Sequence, residues 1–379
     1  MSTSKKIIRI STVPLSLETL LRAQLRILSE QYEVVAVSSP GKELDVVAQR
    51  EHVRTVAVPM ERHISLWKDV KSLCRLIVLF RKEKPDMVHS ITPKAGMLAM
   101  VAAWITRVPV RMHTFTGLVF PTATGLKQKV LIATDKLTCF CATNINPEGR
   151  GVKRDLIKYR ITSKPMHIIA NGNVNGINLA YFDRTPEVME RVANIRRQGV
   201  FTFCFVGRMV KDKGINELVW AFQKIYEKNR QVCLFLVGPF EKELDPIQPE
   251  NEEAILHHPG ICFMDFQKDV RPFLAASDAL VFPSYREGFP NVVLQAGAMG
   301  LPAIVTDING CNEIIRSGQN GTIIPARDER VLQDTMEYYV THPGEVKQMA
   351  KNARPMIAER YEQHIVWEAL LKEYRELLK

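Results

Sequence analysis

Hydrophobic and polar positions along this chain alternate between two kinds of run. Short runs rich in β-branched residues, KIIRIST, EVVAVSS, TVAVP, DMVHSI, VRMHTFTG, FCATNIN and MHIIAN, predict strands. Longer stretches with helical spacing lie between several of them, at 17–30, 66–82 and 96–105. The second half restarts the pattern with FTFCFVGRM, VCLFLVG, GICFMDF, DALVFPS, PAIVTD and GTIIP, again with helical stretches between. Repeated βα units predict an α/β fold of parallel sheets with helices on both faces. No sequence repeat accompanies this repetition of architecture. At 379 residues the chain suits two Rossmann-like, doubly wound domains rather than one core. The expected division is 1–185, 186–361 and a C-terminal amphipathic helix at 362–379, with NGNVNGINLAYFDRTPE as linker. In that helix Ile365, Leu370, Tyr374 and Leu377 form the apolar stripe, which packs back on the first domain.

Composition changes this picture in one respect. Hydrophobic content of 46% and charged content of 24% are ordinary for a globular protein. The longest apolar run, at 97–105, is far short of the roughly 20 residues that span a bilayer. MSTSKKIIRIST has no apolar core or cleavage site of a signal peptide. The seven cysteines, mostly in apolar runs, predict reduced buried thiols and a cytoplasmic chain. The net charge of +10 is unevenly placed. Residues 1–185 hold 28 lysines and arginines against 14 carboxylates, whereas residues 186–379 hold 23 against 27. The basic half predicts an anionic partner: a phosphorylated substrate, acidic lipid or nucleic acid. Nucleic acid is disfavoured, because no reader motif is present and aromatics are not interleaved with the basic clusters.

Ligands of doubly wound sheets bind at the carboxyl ends of the strands, so candidate chemistry is sought there. After FTFCFVG, the segment Gly207-Arg208 to Lys211-Asp212-Lys213-Gly214 leads into a helix. A guanidinium and an ammonium at a helix start make a diphosphate clamp of Arg208 and Lys213; the alternative is a surface turn with incidental charges. After ALVFPSY comes Glu287-Gly288-Phe289-Pro290-Asn291, with Pro290 suited to a first helical position. Glu287 beside that helix start supplies both acceptors and donors for sugar hydroxyls, unless it only caps its own helix. Gly310 and Glu313 follow the strand of IVTDINGCNEII in a similar position.

In the first half, His89 ends DMVHSI and Lys94 stands at the next helix start, where a lysine is unfavourable unless an anion is bound. His113 is expected at the end of the following strand. Two histidines at neighbouring strand ends invite a zinc reading, but no third ligand has suitable spacing. No metal site is expected. A satisfied core histidine remains the alternative for both.

Taken together, these motifs resemble the retaining glycosyltransferases of family 4. The resemblance runs in order from HSITPKAG through HTFTG, Asn171-Gly172, VGRMVKDKG, FLVG, DVRPFLAASDALVFPSYREGFP and NGCNEII to NGTIIP. It implies the GT-B fold, two Rossmann-like domains facing a cleft. It also implies metal-independent transfer, without a cofactor, from a nucleotide-sugar, expected to be a UDP-sugar, with retention of configuration. The acceptor implied is a lipid-linked, polyprenyl diphosphate saccharide of capsule, O-antigen or exopolysaccharide assembly, met by the first domain at the cytoplasmic face of the inner membrane. Residue by residue, the resemblance gives the donor diphosphate to Arg208 and Lys213 and the transferred sugar to Glu287. It adds the amides of Phe289 and Asn291, with Pro290 lacking an N–H, and sets His113 near the reaction centre. Phe266 and Gln267 fall at the nucleobase, and Glu313 beside the nucleoside.

Two positions depart from the family pattern. Family members often carry a Gly-Gly loop after the first strand; here Ser11 to Leu17 contains no glycine, and Ser16 or Glu18 is expected to substitute. The second carboxylate of the family's E-x7-E motif, which holds the ribose, is Gln295. A non-catalytic sugar-nucleotide-binding scaffold and a nucleotide-sugar 2-epimerase of the same fold are the alternatives. The stretch from His63 to Lys84, with Trp67, Leu73, Ile77 and Phe80 among Lys68, Lys71, Arg75, Arg81 and Lys82, predicts either a basic amphipathic helix on the membrane surface or an ordinary sheet-packing helix.

Overall fold

The computed structural model describes residues 4–61, 65–243 and 245–379, so His63 and Ile64 of the basic stretch lie outside the described residues. Contacts divide the chain into two units, Met1–Gly176 with Gln363–Lys379, and Ile177–Glu362. The boundary expected near residue 185 falls instead at Gly176/Ile177. Ile177 N donates to Tyr361 O at 2.7 Å, and Arg184 donates to the carbonyls of Met299 and Ala275, which ties residues 177–185 to the second unit.

The first unit is a six-stranded sheet of β1 (Lys6–Ile10), β2 (Glu33–Ser38), β3 (Arg54–Ala57), β4 (Met87–Ser90), β5 (Val110–Phe115) and β6 (Asn144–Pro147). The order is β3-β2-β1-β4-β5-β6, every pair parallel. The order reverses at β1/β4, which makes that central pair the switch point of the sheet. Side chains alternate across the strands, so the four central strands feed a core on each face of the sheet. Ile8, Ile10 and Val88 join Leu76, Phe80, Leu98 and Val152 on one face. Ile7, Met87 and Met112 join Leu17, Leu25, Leu370 and Tyr374 on the other. The C-terminal helix Gln363–Leu377 therefore covers a face of this first sheet, burying Val366, Leu370, Leu371 and Tyr374. Of the stripe expected there, Leu370 and Tyr374 are buried.

Of the two readings of the basic stretch, the apolar residues Leu73, Ile77 and Phe80 of the helix Leu66–Glu83 take the sheet-packing one. Phe80 is buried and Leu73 and Ile77 pack against the core, as in an ordinary sheet-covering helix, while Trp67, Val70 and Val78 face outward. Helical spacing gives an apolar stripe but not the side that receives it.

The second unit repeats the scheme with β7 (Phe201–Val206), β8 (Val232–Val237), β9 (Ile261–Phe263), β10 (Ala279–Phe282), β11 (Ala303–Thr306) and β12 (Gly321–Ile324). Its order is β12-β11-β10-β7-β8-β9, all parallel, with the reversal between β7 and β10. One core of the buried β-branched and aromatic residues of these strands holds it together.

Candidate functional site

The loops after β7, β10 and β11 meet because their strands are neighbours at the second unit's switch point. Two glycines allow the close approach. Gly214 (φ 71°) ends the turn before the helix Ile215–Lys228, and a Cβ there would stand 2.1 Å from the carbonyl oxygen of Pro283. At Gly310 (φ 74°), before the helix Cys311–Ile314, a Cβ would stand 2.6 Å from the carbonyl oxygen of Gly288 and 2.7 Å from Phe289 Cα. Both positions need a left-handed backbone and no side chain. The loops after β7 and β11 are thereby pressed against the segment 283–290 from either side.

Within this cluster the Lys213 ammonium is paired with the Glu287 carboxylate. Ser284 Oγ donates to the same carboxylate oxygen at 2.9 Å, and the Lys213 Nζ lies 5.3 Å from the Phe282 ring centroid. Ser284, just past the end of β10, is fully buried, and nothing in its sequence context marks it as part of the site. Further charged and aromatic contacts surround the pair. Arg286 Nε meets Asp212 Oδ2 at 2.9 Å, Tyr285 OH donates to Glu217, and the Arg327 guanidinium lies over the Tyr285 ring. Arg208 pairs with Glu241 and is half exposed. Pro290 caps the helix Asn291–Ala298 rather than opening it, so Asn291 is the first residue with a helical N–H. Phe289 is buried with its ring against Tyr361.

Gln295 projects from the middle of that helix, half-buried, and among the described residues its side-chain amide has no hydrogen-bond partner. The backbone carbonyl of Glu313 accepts from Arg360 Nη1 at 2.9 Å and from Tyr361 OH at 3.2 Å. After β9, Phe266 is exposed, while Gln267 Nε2 turns back to the Met264 carbonyl at 2.6 Å. The second unit thus offers an ammonium, a carboxylate, a guanidinium and two helix N-termini around one switch point. That set can bind a diphosphate and a polyol together.

The first unit's candidates separate. His89 pairs with Met112 across β4/β5 and Ser90 pairs with His113, so the two imidazoles point to opposite faces and cannot ligate one metal. His89 is buried beside Tyr374 OH (2.5 Å) and Thr114 Oγ1 (2.8 Å), with Arg9 Nη1 donating to the same Tyr374 hydroxyl at 2.8 Å. Both its ring nitrogens are committed within the protein, which leaves none for a phosphate. Burial drives its pKa well below the ordinary histidine value, with Arg9 adding to the shift.

His113 lies inside β5 rather than at its end, with Nδ1 at 2.8 Å from Ser90 Oγ. A Cβ at Gly96 would come within 2.3 Å of its ring, so the helix Pro93–Ile105 sits directly on the imidazole. Burial lowers its pKa to about 3 and keeps it neutral. The unfavourable helix-start charge of Lys94 is answered from inside, by Asp69 Oδ1 at 2.7 Å.

At the first unit's switch point, threonines occupy the place expected for Ser16 or Glu18. Thr12 Oγ1 contacts Thr92 Oγ1 at 2.8 Å and accepts from Ala95 N at 3.2 Å, while Thr12 N donates to Thr92 Oγ1 at 2.9 Å. Glu18 faces Arg50 (3.7 Å), and Ser16 N donates to Val13 O. The Thr12–Thr92 contact spans 80 residues and has no local signature. Among the described residues, no group of three His, Cys, Asp or Glu side chains is arranged to hold a metal ion.

Residues 18–172 match the family described as Glycosyl transferase 4-like domain, and residues 200–342 match Glycosyl transferases group 1. The chain is 32% identical over 378 residues to the capsular polysaccharide biosynthesis glycosyltransferase CapM of Staphylococcus aureus, covering 99% of this chain and 98% of that protein. It is 29% identical, over 81% of this chain and 80% of that one, to the Escherichia coli UDP-Gal:alpha-D-GlcNAc-diphosphoundecaprenol alpha-1,3-galactosyltransferase.

Among solved structures, Anabaena HepE in complex with UDP and glucose superposes with a TM-score of 0.82 at 16% identity, over 98% of this chain and 100% of that one. WaaG, a glycosyltransferase involved in lipopolysaccharide biosynthesis, gives 0.73 at 17% identity, over 96% and 98%. These likenesses show the GT-B fold expected from the motifs. With one relative matched end to end and two domain families lying in order along the chain, the protein belongs to the group 1 glycosyltransferases, with a glycosyl transferase 4-like domain ahead of the group 1 domain.

Proposed function

We propose that this glycosyltransferase moves a sugar from a UDP-sugar to a polyprenyl diphosphate-linked saccharide in capsule, O-antigen or exopolysaccharide assembly, with retention of configuration and without a metal. The observation that carries the reading is the Lys213–Glu287 pair at the second unit's switch point, an ammonium and a carboxylate held where diphosphate and sugar would meet. The substrate classes are supported by the activity for which the E. coli relative is named and by the UDP held by HepE.

In this reading the second unit, Ile177–Glu362, binds the nucleotide-sugar and the first unit binds the acceptor. Lys213, Arg208 and the N-terminus of Ile215–Lys228 neutralise the departing diphosphate. Glu287 and the amides of Phe289 and Asn291 hold the sugar, with Gly310 admitting it closely. Gln295 and Glu313 hold the ribose, and Phe266 and Gln267 border the base. The bond from the anomeric carbon to the diphosphate oxygen breaks through an oxocarbenium-like state. The acceptor hydroxyl bonds to the same face of that carbon, and its proton leaves with the diphosphate. Neutral, buried His113 acts through its neighbours, setting the turn that follows β5. The basic first unit holds the enzyme at the cytoplasmic face of the membrane that carries the acceptor.

A panel of UDP-, GDP- and dTDP-sugars, read by nucleotide release and thermal shift with a lipid-linked acceptor, tests this. Release from a UDP-sugar alone, unaffected by EDTA, with an α product from an α donor, is expected. Thermal stabilisation without release identifies a binding scaffold instead.

A further inference from the structure

The helix Gly125–Cys141 carries two apolar faces. Its inner face buries Thr138, Cys139 and Cys141 and packs Leu131 and Ile132 against the core. Its outer face presents Leu126, Val130, Ala133, Leu137 and Phe140, spaced four and three residues apart in alternation, which makes one straight stripe. The stripe is exposed along its length, from 77% at Leu126 to 65% at Phe140, with Val130 at 40% and Leu137 at 44%. At its end the Phe140 ring meets Trp104 of the neighbouring helix Pro93–Ile105, centroids 6.2 Å apart; Trp104 is itself 50% exposed, beside exposed Ile105. A globular protein normally turns such a stripe inward. A contiguous exposed one marks a surface that meets something apolar.

The charges around the stripe decide what that is. Lys127, Lys129 and Lys136 are exposed on the same helix, and its one carboxylate, Asp135, is buried. The helix Leu66–Glu83 packs on the other side of Pro93–Ile105, in the same layer. There Trp67, Val70 and Val78 are exposed among Lys71, Arg75, Arg81 and Lys82. Its two carboxylates are spent inside: Asp69 is buried against Lys94, and Glu83 is held by Lys6 and Arg54. Among the described residues of these three helices, no carboxylate is exposed. A second copy of the chain would oppose lysine to lysine across such a face, which is unfavourable. An anionic bilayer offers an apolar interior to the stripe and negative headgroups to the lysines, with aromatic rings at the boundary between them.

We infer that the outer surface of these three helices, centred on the Leu126–Phe140 stripe and Trp104, is the face with which the protein docks on an anionic lipid bilayer. This deepens the membrane reading above and rests on it for the presence of a bilayer at the site of work. It moves the inserting edge away from the basic helix Leu66–Glu83, whose main apolar stripe is turned into the core.

Co-sedimentation of the full chain with vesicles of phosphatidylcholine, alone or mixed with phosphatidylglycerol, tests the inference. Binding to the mixed vesicles only is expected. Leu137→Ser with Phe140→Ser, and separately Lys127→Glu with Lys129→Glu and Lys136→Glu, should each weaken it at least about tenfold. Lys347→Glu with Lys351→Glu, on an exposed helix of the second unit, should leave it unchanged. Binding that ignores phosphatidylglycerol, or that survives both sets of variants, overturns the inference. So does a dimer in sedimentation equilibrium that Phe140→Ser abolishes, since the stripe then belongs to a second copy. Nucleotide release, measured with a water-soluble acceptor, should be normal in the stripe variants. Its absence in the wild type would sink the donor-substrate reading while leaving the vesicle result standing.

Discussion

The ammonium of Lys213 and the carboxylate of Glu287 neutralise each other across 74 residues of sequence, brought together because β7 and β10 are neighbours at the point where the strand order reverses. Each is mostly enclosed, with side chains 19% and 17% exposed. A diphosphate entering this place takes over the ammonium, and Glu287 is released toward sugar hydroxyls while Ser284 still holds one of its oxygens. The pair keeps both groups oriented before substrate arrives.

Lys213→Ala is expected to lower turnover by about two orders of magnitude, as for other electrostatic stabilisers of a leaving group. Glu287→Ala should also lower turnover, with a smaller change in donor KM. Each single change leaves the partner charge enclosed and unpaired, so the double variant should lose less stability than the sum of the two. Steady-state kinetics and urea unfolding of the three variants check this. Wild-type turnover in Lys213→Ala would remove the clamp.

Gln295 tests the ribose contact. Its amide has no partner among the described residues and is therefore available to a ligand. An amide can accept one hydrogen bond and donate another, where a carboxylate accepts two. Gln295→Glu should remain active with an altered donor KM. Gln295→Ala should raise the donor KM about five- to tenfold, the worth of one hydrogen bond, with turnover little changed. A silent alanine would make the residue part of helix packing only.

Asp135 gives a pH signature. Burial raises its pKa from 3.8 to about 7, so between these values the folded chain holds a proton that the unfolded chain releases. Its contribution to stability is therefore full below pH 3.8 and is lost as pH rises through 7. Asp135→Asn should stabilise the protein by about 4 kcal/mol at pH 8 and by almost nothing at pH 4. His89 and His113, depressed by burial, act with the opposite sign but are common to both chains and cancel in the difference. Urea unfolding at the two pH values reads the result, and a pH-independent difference would refute it.

Local patterns made much of this protein legible. Alternation of β-branched runs with helical spacing gave two α/β units, because periods of two and of 3.6 residues are written locally. The loops at strand ends were recognisable for the same reason, since glycine, proline and charge at a helix start act within a few residues. Gly214 and Gly310 were readable as turn residues, though not as the points where two loops press on a third.

The sequence by itself determined the fold class, the sites where ligands are sought and the excess of positive charge in the first half. Tertiary structure decided which charges remain for a partner. Asp69, distant in sequence, supplies the negative charge that Lys94 needs at its helix start, and strand alternation sends the two histidines at neighbouring strand ends to opposite faces. It also decided which of two apolar stripes faces water, turning that of Leu66–Glu83 inward and leaving Leu126 to Phe140 outside. The reason is common to all three. A side chain's partner at long range is set by strand order and by the side of the sheet on which its helix lands, and neither is recorded in the spacing of nearby residues.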